Sequence, residues 1–397
     1  MPGVVGIVGA GTMGAGIAQL ALEAGHEVVL HDVDVAAIER GRARIRSGLE
    51  RRARRLDLDH ESADAWVDGR LGRLRAGPAI DDVAAAEPLL IVEVALEDLE
   101  TKRAIFRTLD AAVGAGTVLA TNTSALSVAE IAAATGRPER VLGLHFFNPA
   151  PVMPLVEVVV PLGTDPAVAE RATALVTAWG KVAVRCTDTP GFIVNRVNRP
   201  FTLEALAILG AGRASVTSID AAIRGSGLPM GPFELMDLVG LDINLAAAMG
   251  IYDGSRAAGD PLAGRFMPSA IQERLVAAGQ LGRKTGSGFY DYEPDGRPSG
   301  PAADFAHPGV AGDGLPAKAI VERIMLAIVN EAYRALGDEV ATAADIDLAL
   351  RLGAGHPIGP IERVEGLGGR GAVLAGLRRH AGDGPRFEPA SSLLQQV

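Results

Sequence analysis

Short apolar runs alternate with longer amphipathic stretches through the first half of the chain. The runs predict seven strands, and most of the stretches between them have the apolar spacing of helices. An Arg-rich stretch over roughly 35–76 is predicted to be one long helical region. Strands that alternate with helices favour a doubly wound, mainly parallel sheet. The predicted strands are GVVGIV (3–8), HEVVLHDVD, LLIVEVAL (89–96), TVLATNTS (117–124), RVLGLHFFNP, LVEVVV (155–160) and KVAVRC (181–186).

The pattern changes near Thr189-Pro190-Gly191, and this change divides the chain. Residues 188–292 have mostly helical spacing, interrupted by Gly and Pro. Residues 293–316 are rich in Gly and Pro and show no periodicity, which predicts a linker. Residues 317–397 are again helical in pattern. We therefore predict an α/β domain over 1–187, helical domains over 188–292 and 317–397, and a linker over 293–316.

The two helical blocks resemble each other. Two aligned repeats are too few for a solenoid, so the pattern indicates a tandem duplication of a small helical domain. The aligned dipeptides are Glu204-Ala205 with Glu331-Ala332, Ile219-Asp220 with Ile346-Asp347, and, after one inserted residue, Gly231-Pro232 with Gly359-Pro360.

The composition of the chain excludes several classes of function. The formal net charge of −10 argues against broad binding of nucleic acid. Cys186 is the one cysteine, which excludes an intrachain disulfide and a cysteine-based zinc site, and we predict no metal. No apolar run reaches the ~18 residues of a membrane span. The N-terminus has no basic leader, so we predict a cytoplasmic protein that does not associate with membranes.

A glycine-rich turn after the first strand predicts a dinucleotide site. The segment Gly9-Ala10-Gly11-Thr12-Met13-Gly14 fits G-x-G-x-x-G and leads from a strand into a helix. The three glycines permit a tight turn, a close approach to pyrophosphate and helix–strand packing. Asp32 ends the second strand, where an acid can bond the ribose 2′-hydroxyl and disfavours a 2′-phosphate. The predicted cofactor is NAD.

The segment HFFNPAPVMPLVEVV, residues 145–159, holds one of the seven histidines and an acid in an apolar run. His145 ends one predicted strand and Glu157 lies on the next, a separation that suits a return strand. Histidine can exchange protons near neutral pH, and a carboxylate on its other nitrogen would fix its tautomer. Alternatively, His145 is a histidine at a strand end whose hydrogen bonds are made within the fold, and Glu157 is a solvent-facing residue of an edge strand.

Seven motifs together resemble the L-3-hydroxyacyl-CoA dehydrogenases of β-oxidation type, which include 3-hydroxybutyryl-CoA dehydrogenases. They occur in the family's order and cover about residues 4–292. The resemblance implies a Rossmann-type N-terminal domain and an all-α C-terminal domain, which longer members of the family duplicate. The motifs are GIVGAGTMGAGIAQ, EVALEDLETK, TNTSALSV, GLHFFNPAPVMPLVEVV, TPGFIVNR, GLPMGPFELMDLVGLD and GRKTGSGFYDY.

The resemblance also implies roles for individual residues. Ser124 could instead cap a helix that begins at Leu126, and Asn148 could be a turn residue before Pro149. The implied catalytic residues are His145, Glu157, Ser124 and Asn195. The implied cofactor ligands, besides Gly9, Gly11, Thr12, Met13 and Gly14, are Asp32, Glu97, Lys102, Asn122, Ser124 and Asn148.

Coenzyme A binding is implied for the Arg-rich helix. Arginine suits phosphate groups, so Arg51 and Arg55 are candidate substrate ligands, although such a run is also typical of a solvated helix face. The family typically has serine and lysines here, whereas this chain has Gly48 and arginines. Lys284 is a further candidate substrate ligand, or a residue that serves a helix end or turn.

The predicted reaction is reversible NAD-dependent oxidation of an L-3-hydroxyacyl-CoA to the 3-ketoacyl-CoA. Four-carbon, medium-chain and dicarboxylic acyl groups are all compatible with the sequence. The alternatives are a dehydrogenase of a free hydroxy acid or sugar acid, and a non-catalytic NAD-binding protein. Asn195 aligns with Glu322, so we predict that the second helical copy is structural. The protein is then a homodimer or a pseudo-dimeric monomer.

Overall fold

A computed structural model describes residues 3–306 and 314–395 of the chain. The chain forms two compact units, Met1–Thr189 and Pro190–Val397. Residues 307–313 of the predicted linker and residues 396–397 of the predicted last domain lie outside the described residues.

The first unit is built on an eight-stranded sheet. Its strand order is β3-β2-β1-β4-β5-β6-β7-β8, and every neighbouring pair is parallel except β6 and β7. The predicted mainly parallel α/β fold is therefore confirmed. The strands are β1 (Val4–Val8), β2 (Glu27–His31), β3 (Leu74–Gly77), β4 (Leu90–Glu93), β5 (Val118–Thr121), β6 (Val141–Phe146), β7 (Leu155–Val160) and β8 (Val182–Thr187).

Seven of these strands overlap the predicted ones, and β3 is the strand that the sequence pattern missed. The single helical region predicted over 35–76 is wrong at its end, because β3 lies at 74–77. Only Leu74 of this edge strand is buried, so the four residues carry no visible alternation. The region also contains two helices, since Asp59 accepts a hydrogen bond from Ser62 N and starts a new helix.

In residues 3–189, seven α-helices connect the strands and cover the sheet. Their apolar faces pack with the strands into a core that includes Ile7, Leu30, Ile45 and Leu142. The helices are α1 (Thr12–Glu23), α2 (Val35–Arg55), α3 (His60–Leu71), α4 (Ile80–Ala85), α5 (Leu99–Ala112), α6 (Val128–Ala132) and α7 (Pro166–Ala178).

Helices are the main regular structure in the described residues of the second unit. Within the predicted linker it has one strand of a small antiparallel pair, β9 (Tyr290–Tyr292) with β10 (Pro298–Pro301), and the short helix α14 (Ala303–Ala306). The other helices are α8 (Val194–Val197), α9 (Arg199–Gly210), α10 (Val216–Gly225), α11 (Pro232–Val239), α12 (Leu241–Ala257), α13 (Ala270–Ala277), α15 (Ala317–Gly337), α16 (Ala343–Ala354), α17 (Arg363–Gly366), α18 (Gly369–Arg379) and α19 (Ser391–Leu394).

The aligned aspartates of the two copies make the same contacts. Asp220 accepts hydrogen bonds from Phe233 N and Glu234 N, at the start of α11. Asp347 accepts from Ile361 N and Glu362 N in the second copy. A carboxylate at a helix start satisfies backbone N–H groups that have no partner inside the helix. This shared contact explains why both copies have an Asp before a Gly-Pro pair.

Each helical copy contributes a buried glutamate that pairs with two arginines of the other copy. Glu204, on α9 of the first copy, accepts from Arg323 and Arg386 of the second. Glu331, on α15 of the second copy, accepts from Arg196 and Arg265 of the first. Both glutamates are at most 3% exposed. The copies therefore meet with approximate twofold symmetry, because aligned residues play the same part on each side.

Among residues 3–306 and 314–395, no single helix has the length and hydropathy of a membrane span, although α11 and α12 pass that test as a bent pair. The cytoplasmic location stays a prediction.

Candidate active site

The glycine-rich loop joins β1 to α1 in the geometry that a dinucleotide needs. Gly9 has φ +112°, and a Cβ there would lie 2.6 Å from the carbonyl oxygen of Val94. A Cβ on Gly14 would lie 1.8 Å from the carbonyl oxygen of Gly9, so helix and strand pack too closely for a side chain. At Gly11, by contrast, a Cβ would have nothing within 4 Å among the described residues. The loop thus leaves open the position where a pyrophosphate would approach the N-terminus of α1.

Asp32, just beyond β2, is bonded to this loop. Its Oδ2 accepts from Ala10 N at 2.8 Å, and its Oδ1 accepts from Asp34 N at 3.1 Å. The carboxylate is thereby fixed beside the loop, in a position suited to a ribose hydroxyl. Together with the open position at Gly11, this arrangement fits NAD, and the ribose contact of Asp32 stays a prediction.

His145 and Glu157 face each other across two strands. They are register partners in the antiparallel pair β6–β7, so their side chains lie on the same face of the sheet. The His145 Nδ1 atom lies 2.6 Å from Glu157 Oε2. Glu157 is fully buried and His145 is 6% exposed. The low dielectric of this site strengthens the pair, which fixes the orientation of the imidazole.

A second buried acid lies at the end of β4, and sequence reasoning missed it. Glu93 is fully buried, and both of its oxygens accept from Lys102 Nζ, at 2.7 and 3.0 Å. It also accepts from Thr121 Oγ1 and Ala95 N, each at 2.7 Å. The signal was present in the sequence, since Glu93 interrupts the apolar run LLIVEVAL as Glu157 interrupts LVEVVV.

Lys102 lies between two acids of the motif EVALEDLETK. It is 1% exposed, and its ammonium also lies 3.4 Å from Glu97 Oε2. Glu97 in turn accepts from Thr123 Oγ1 at 2.6 Å and from Ser124 N at 2.9 Å. Lys102 and Glu97 thus hold the loop that carries Ser124, and their direct contacts with a cofactor stay predictions.

Ser124 does not cap a helix. Helix α6 begins at Val128, and its N-cap is Ser127, whose hydroxyl accepts from Glu130 N. Asp188 supports the same helix start by accepting from Val128 N and Ala129 N. The capping alternative for Ser124 is therefore wrong, and its catalytic role stays a prediction.

The two predicted asparagines of the first unit lie at the ends of adjoining strands. Asn122 follows β5, and its Oδ1 accepts from Phe146 N at 2.9 Å, which ties this loop to the end of β6. Asn148 precedes Pro149 in a cis peptide bond and lines a cleft of the first unit. Their cofactor contacts stay predictions.

That cleft has a volume of about 800 Å³ and lies between α1, α2 and the loop after β6. Its walls include both predicted CoA ligands, Arg51 and Arg55. A Cβ on Gly48 would lie 1.9 Å from Gln19 Oε1, so glycine makes room for Gln19 in the cleft wall. The lining holds five basic residues and one acid, namely Arg44, Arg51, Arg52, Arg55, Lys181 and Glu23. This balance favours an anionic ligand.

Two predicted site residues belong to the second unit. Asn195 lies on α8, one turn before Arg199. Lys284 is partly exposed, and its Nζ donates to Asp242 Oδ1 at 2.6 Å, near the start of α12. This contact supports the alternative in which Lys284 serves a helix end, and a substrate contact by Lys284 stays a prediction.

A mainly parallel sheet with a glycine-rich loop and a paired histidine is typical of NAD-dependent dehydrogenases. The protein-family model for the NAD-binding domain of 3-hydroxyacyl-CoA dehydrogenases matches residues 4–189 of this chain. The model of the family's C-terminal domain matches both helical copies, at 191–292 and 320–397. The chain belongs to the 3-hydroxyacyl-CoA dehydrogenase family.

Individual relatives agree with this assignment. The chain is 36% identical to the 3-hydroxyadipyl-CoA dehydrogenase of Escherichia coli K12, over 99% of this chain and 97% of the relative. It is 42% identical to a 3-hydroxybutyryl-CoA dehydrogenase of Mycobacterium tuberculosis, over 72% of this chain and 98% of the relative. A crystal structure of 3-hydroxybutyryl-CoA dehydrogenase from E. coli K12 covers all of this chain and 98% of its own, with a TM-score of 0.85 and 35% identity.

Proposed function

We propose that the protein interconverts L-3-hydroxyacyl-CoA and 3-ketoacyl-CoA with His145 as the proton-transferring residue. The observation that carries this proposal is the buried contact of 2.6 Å between His145 Nδ1 and Glu157 Oε2. It resembles the histidine–carboxylate unit of other enzymes, in which the acid orients the base and stabilises its charged form.

Each residue has a defined task in this mechanism. Bound NAD supplies the acceptor for the hydride that leaves C3 of the substrate. His145 takes the hydroxyl proton through Nε2, because Nδ1 faces Glu157. Glu157 stabilises the imidazolium that results. Ser124 and Asn195 donate hydrogen bonds to the substrate oxygens and hold C3 in position, which can lower the barrier by several kcal/mol.

The basic cleft of the first unit supports coenzyme A as the carrier. Arg51 and Arg55 offer planar guanidinium groups to the 3′-phosphate or diphosphate. A free hydroxy acid has no phosphate to place there. An acyl-CoA substrate is therefore better supported than a free hydroxy acid.

The test compares acetoacetyl-CoA with free acetoacetate in an NADH-oxidation assay. We expect turnover of the thioester only. His145→Gln should lower kcat by roughly 10²–10⁴-fold, the scale of general acid–base catalysis, while NADH binding measured by fluorescence is retained.

His60→Gln is the matched control, since the His60 side chain is 93% exposed. It should leave kcat unchanged. Equal rates with acetoacetate would remove coenzyme A from the proposal, and near-normal turnover by His145→Gln would remove the role of His145. NADH binding without turnover of either substrate would favour a non-catalytic NAD-binding protein.

We also infer that the second helical copy takes the place of a partner subunit, so that the protein is a pseudo-dimeric monomer. The exchange of arginines and glutamates between the copies supports this, because aligned residues meet as they would across a twofold axis. The face that a single-copy protein would use for dimerisation is then covered within one chain.

Sedimentation equilibrium of the full chain tests this inference. We expect a mass near 41.0 kDa that does not rise with protein concentration. A stable species of twice that mass would contradict the pseudo-dimeric monomer and favour a homodimer.

A further inference from the structure

Arg199 is a buried cation that forms no ion pair with any carboxylate of the described residues. It begins α9 and is 6% exposed. Its Nη1 donates to Asn244 Oδ1 at 3.4 Å, and its Nε is buried and has no hydrogen-bond partner in the part of the chain that the structure describes. The buried Arg196 and Arg265, in contrast, each bind Glu331 and a further aspartate.

Such an arginine is costly to retain for structural reasons alone. A buried charge is tolerated when a counterion and hydrogen bonds compensate its lost hydration. Burial lowers the pKa of Arg199 to about 10, and no neighbouring acid counteracts that effect. The guanidinium therefore has an unused donor at Nε, and no carboxylate of the described residues is paired with it.

Asn244 contacts Arg199, and Gln272 contacts Asn244 in turn. Asn244 Oδ1 accepts from Arg199 Nη1 and also from Gln272 Nε2, at 3.1 Å. Gln272 is fully buried, and its Oε1 has no hydrogen-bond partner within the described part of the chain. Arg199, the half-buried Asn244 and Gln272 thus form a polar cluster whose hydrogen-bonding capacity is only partly used.

The second helical copy shows that the fold does not need this polar cluster. Leu326 stands at the position of Arg199, and Ala372 stands at the position of Asn244. Leu393 aligns with Gln272 when the Arg-Phe pairs at 265 and 386 are matched. Leu326 and Leu393 are buried members of an apolar core. The polar cluster is thus specific to the copy that carries Asn195.

The second copy also shows which residues share a face. A cleft of about 970 Å³ there is lined by Glu322, Leu326 and Ala372, among others. These residues align with Asn195, Arg199 and Asn244, and the two copies share their helices. We therefore expect the three residues of the first copy to lie along one face as well.

We propose that Arg199 binds the terminal carboxylate of a dicarboxylic 3-hydroxyacyl-CoA, an inference that rests on the proposed function. The spacing between Asn195 and Arg199 suits a diacid of six carbons. Asn195 and Arg199 are four residues apart, and the backbone stays helical at Asn198 (φ −87°, ψ −3°). Residues at that spacing have Cβ atoms about 5–6 Å apart.

The substrate has a matching length. Three carbon–carbon bonds of about 1.5 Å separate C3 from the terminal carboxyl carbon of a six-carbon diacid. With C3 at Asn195, the carboxylate therefore reaches the guanidinium one helical turn away. Arginine can bind it in a bidentate manner through Nε and one Nη. A plain alkyl chain in the same place would leave Arg199 without a counterion.

The experiment measures kcat/KM for 3-ketoadipyl-CoA and 3-ketohexanoyl-CoA, which have the same six-carbon length, by NADH oxidation. Wild-type protein should prefer the diacid by roughly 10²-fold, the scale expected for a buried charge pair. Arg199→Leu, which introduces the residue type that Leu326 supplies in the second copy, should abolish this preference. It should lower the rate with the diacid while retaining the rate with 3-ketohexanoyl-CoA.

Arg213→Met is the matched control, because Arg213 lies in the same unit outside the polar cluster, and it should leave the preference unchanged. Equal wild-type turnover of both thioesters would overturn the role of Arg199 while leaving the proposed function intact. An equal fall with both substrates in Arg199→Leu would indicate a structural role and would also overturn it. Turnover of neither substrate by wild-type protein would remove the proposed function, and this inference with it.

Discussion

At the scale of single residues, the three glycines of the loop after β1 have different physical reasons to be glycine. Gly9 requires a positive φ, and Gly14 has a carbonyl oxygen where its Cβ would be. Gly11 has neither constraint, since its φ is −66° and the space beside it is open. The folded chain thus requires glycine at two positions, whereas at the third only a ligand would require it.

Because of this difference, we expect Gly11→Ala to weaken mainly NADH binding and Gly14→Ala to lower mainly the stability. Gly11→Ala should change the free energy of unfolding by less than about 1 kcal/mol, as for an unstrained surface substitution. It should weaken NADH binding at least tenfold, because the methyl group occupies the approach of the pyrophosphate. Gly14→Ala should destabilise the protein by roughly 1–3 kcal/mol, because the helix must move away from the strand.

Urea denaturation and NADH titration of both variants measure these effects. Unchanged NADH affinity in Gly11→Ala would contradict the assignment of the open position to pyrophosphate. Unchanged stability in Gly14→Ala would contradict the close packing of α1 on β1.

A functional acid can be recognised in the sequence when it interrupts an apolar run. Glu157 and Glu93 both interrupt apolar strands, and each is bonded to a basic side chain in the structure. Arg199 gave no such signal, because an arginine in a helical pattern is usually exposed. In the folded chain Arg199 is buried and contacts Asn244 of α12, which is distant in sequence, and no carboxylate of the described residues pairs with it.

At the scale of elements, the return strand β7 shows how far spacing alone can lead. Glu157 follows His145 by twelve positions, and three of the residues between them are prolines; this spacing predicted two adjacent strands. The antiparallel pairing places the two residues directly opposite each other. The prediction succeeded because a short connection leaves the second strand few places to pair.

Shorter elements were harder to predict. Strand β3 has four residues and one buried side chain, so its identity comes from pairing with β2 and not from its own pattern. Helix α6 begins later than the sequence indicated, because Asp188, from beyond β8, supplies part of its cap. Both features depend on partners that are far apart in the chain.

At the scale of the whole molecule, the two helical copies are held together by buried ion pairs. Glu331 is 3% exposed and binds two arginines that are themselves largely buried. Removing one partner from such a cluster leaves uncompensated charge in the interior. Exposed pairs, in contrast, contribute little because water screens them.

Glu331→Ala should therefore lower the free energy of unfolding by about 3–5 kcal/mol. Asp304→Ala is the control, since its pair with Arg274 is about half exposed, and it should cost less than about 1 kcal/mol. Urea denaturation followed by circular dichroism measures both values. A loss below about 1 kcal/mol in Glu331→Ala would show that the exchanged pairs do not hold the copies together.

The sequence by itself determined the α/β fold class, the duplication, the glycine-rich loop and the family. These features rest on local periodicity or on contiguous motifs, and both are visible in the sequence. Tertiary structure alone decided that Glu93 holds Lys102, that arginines and glutamates are exchanged between the copies, and that Arg199 has no counterion among the described residues. The physical reason is that the energy of a charge depends on its burial and its partners, and both are set by residues distant in the chain.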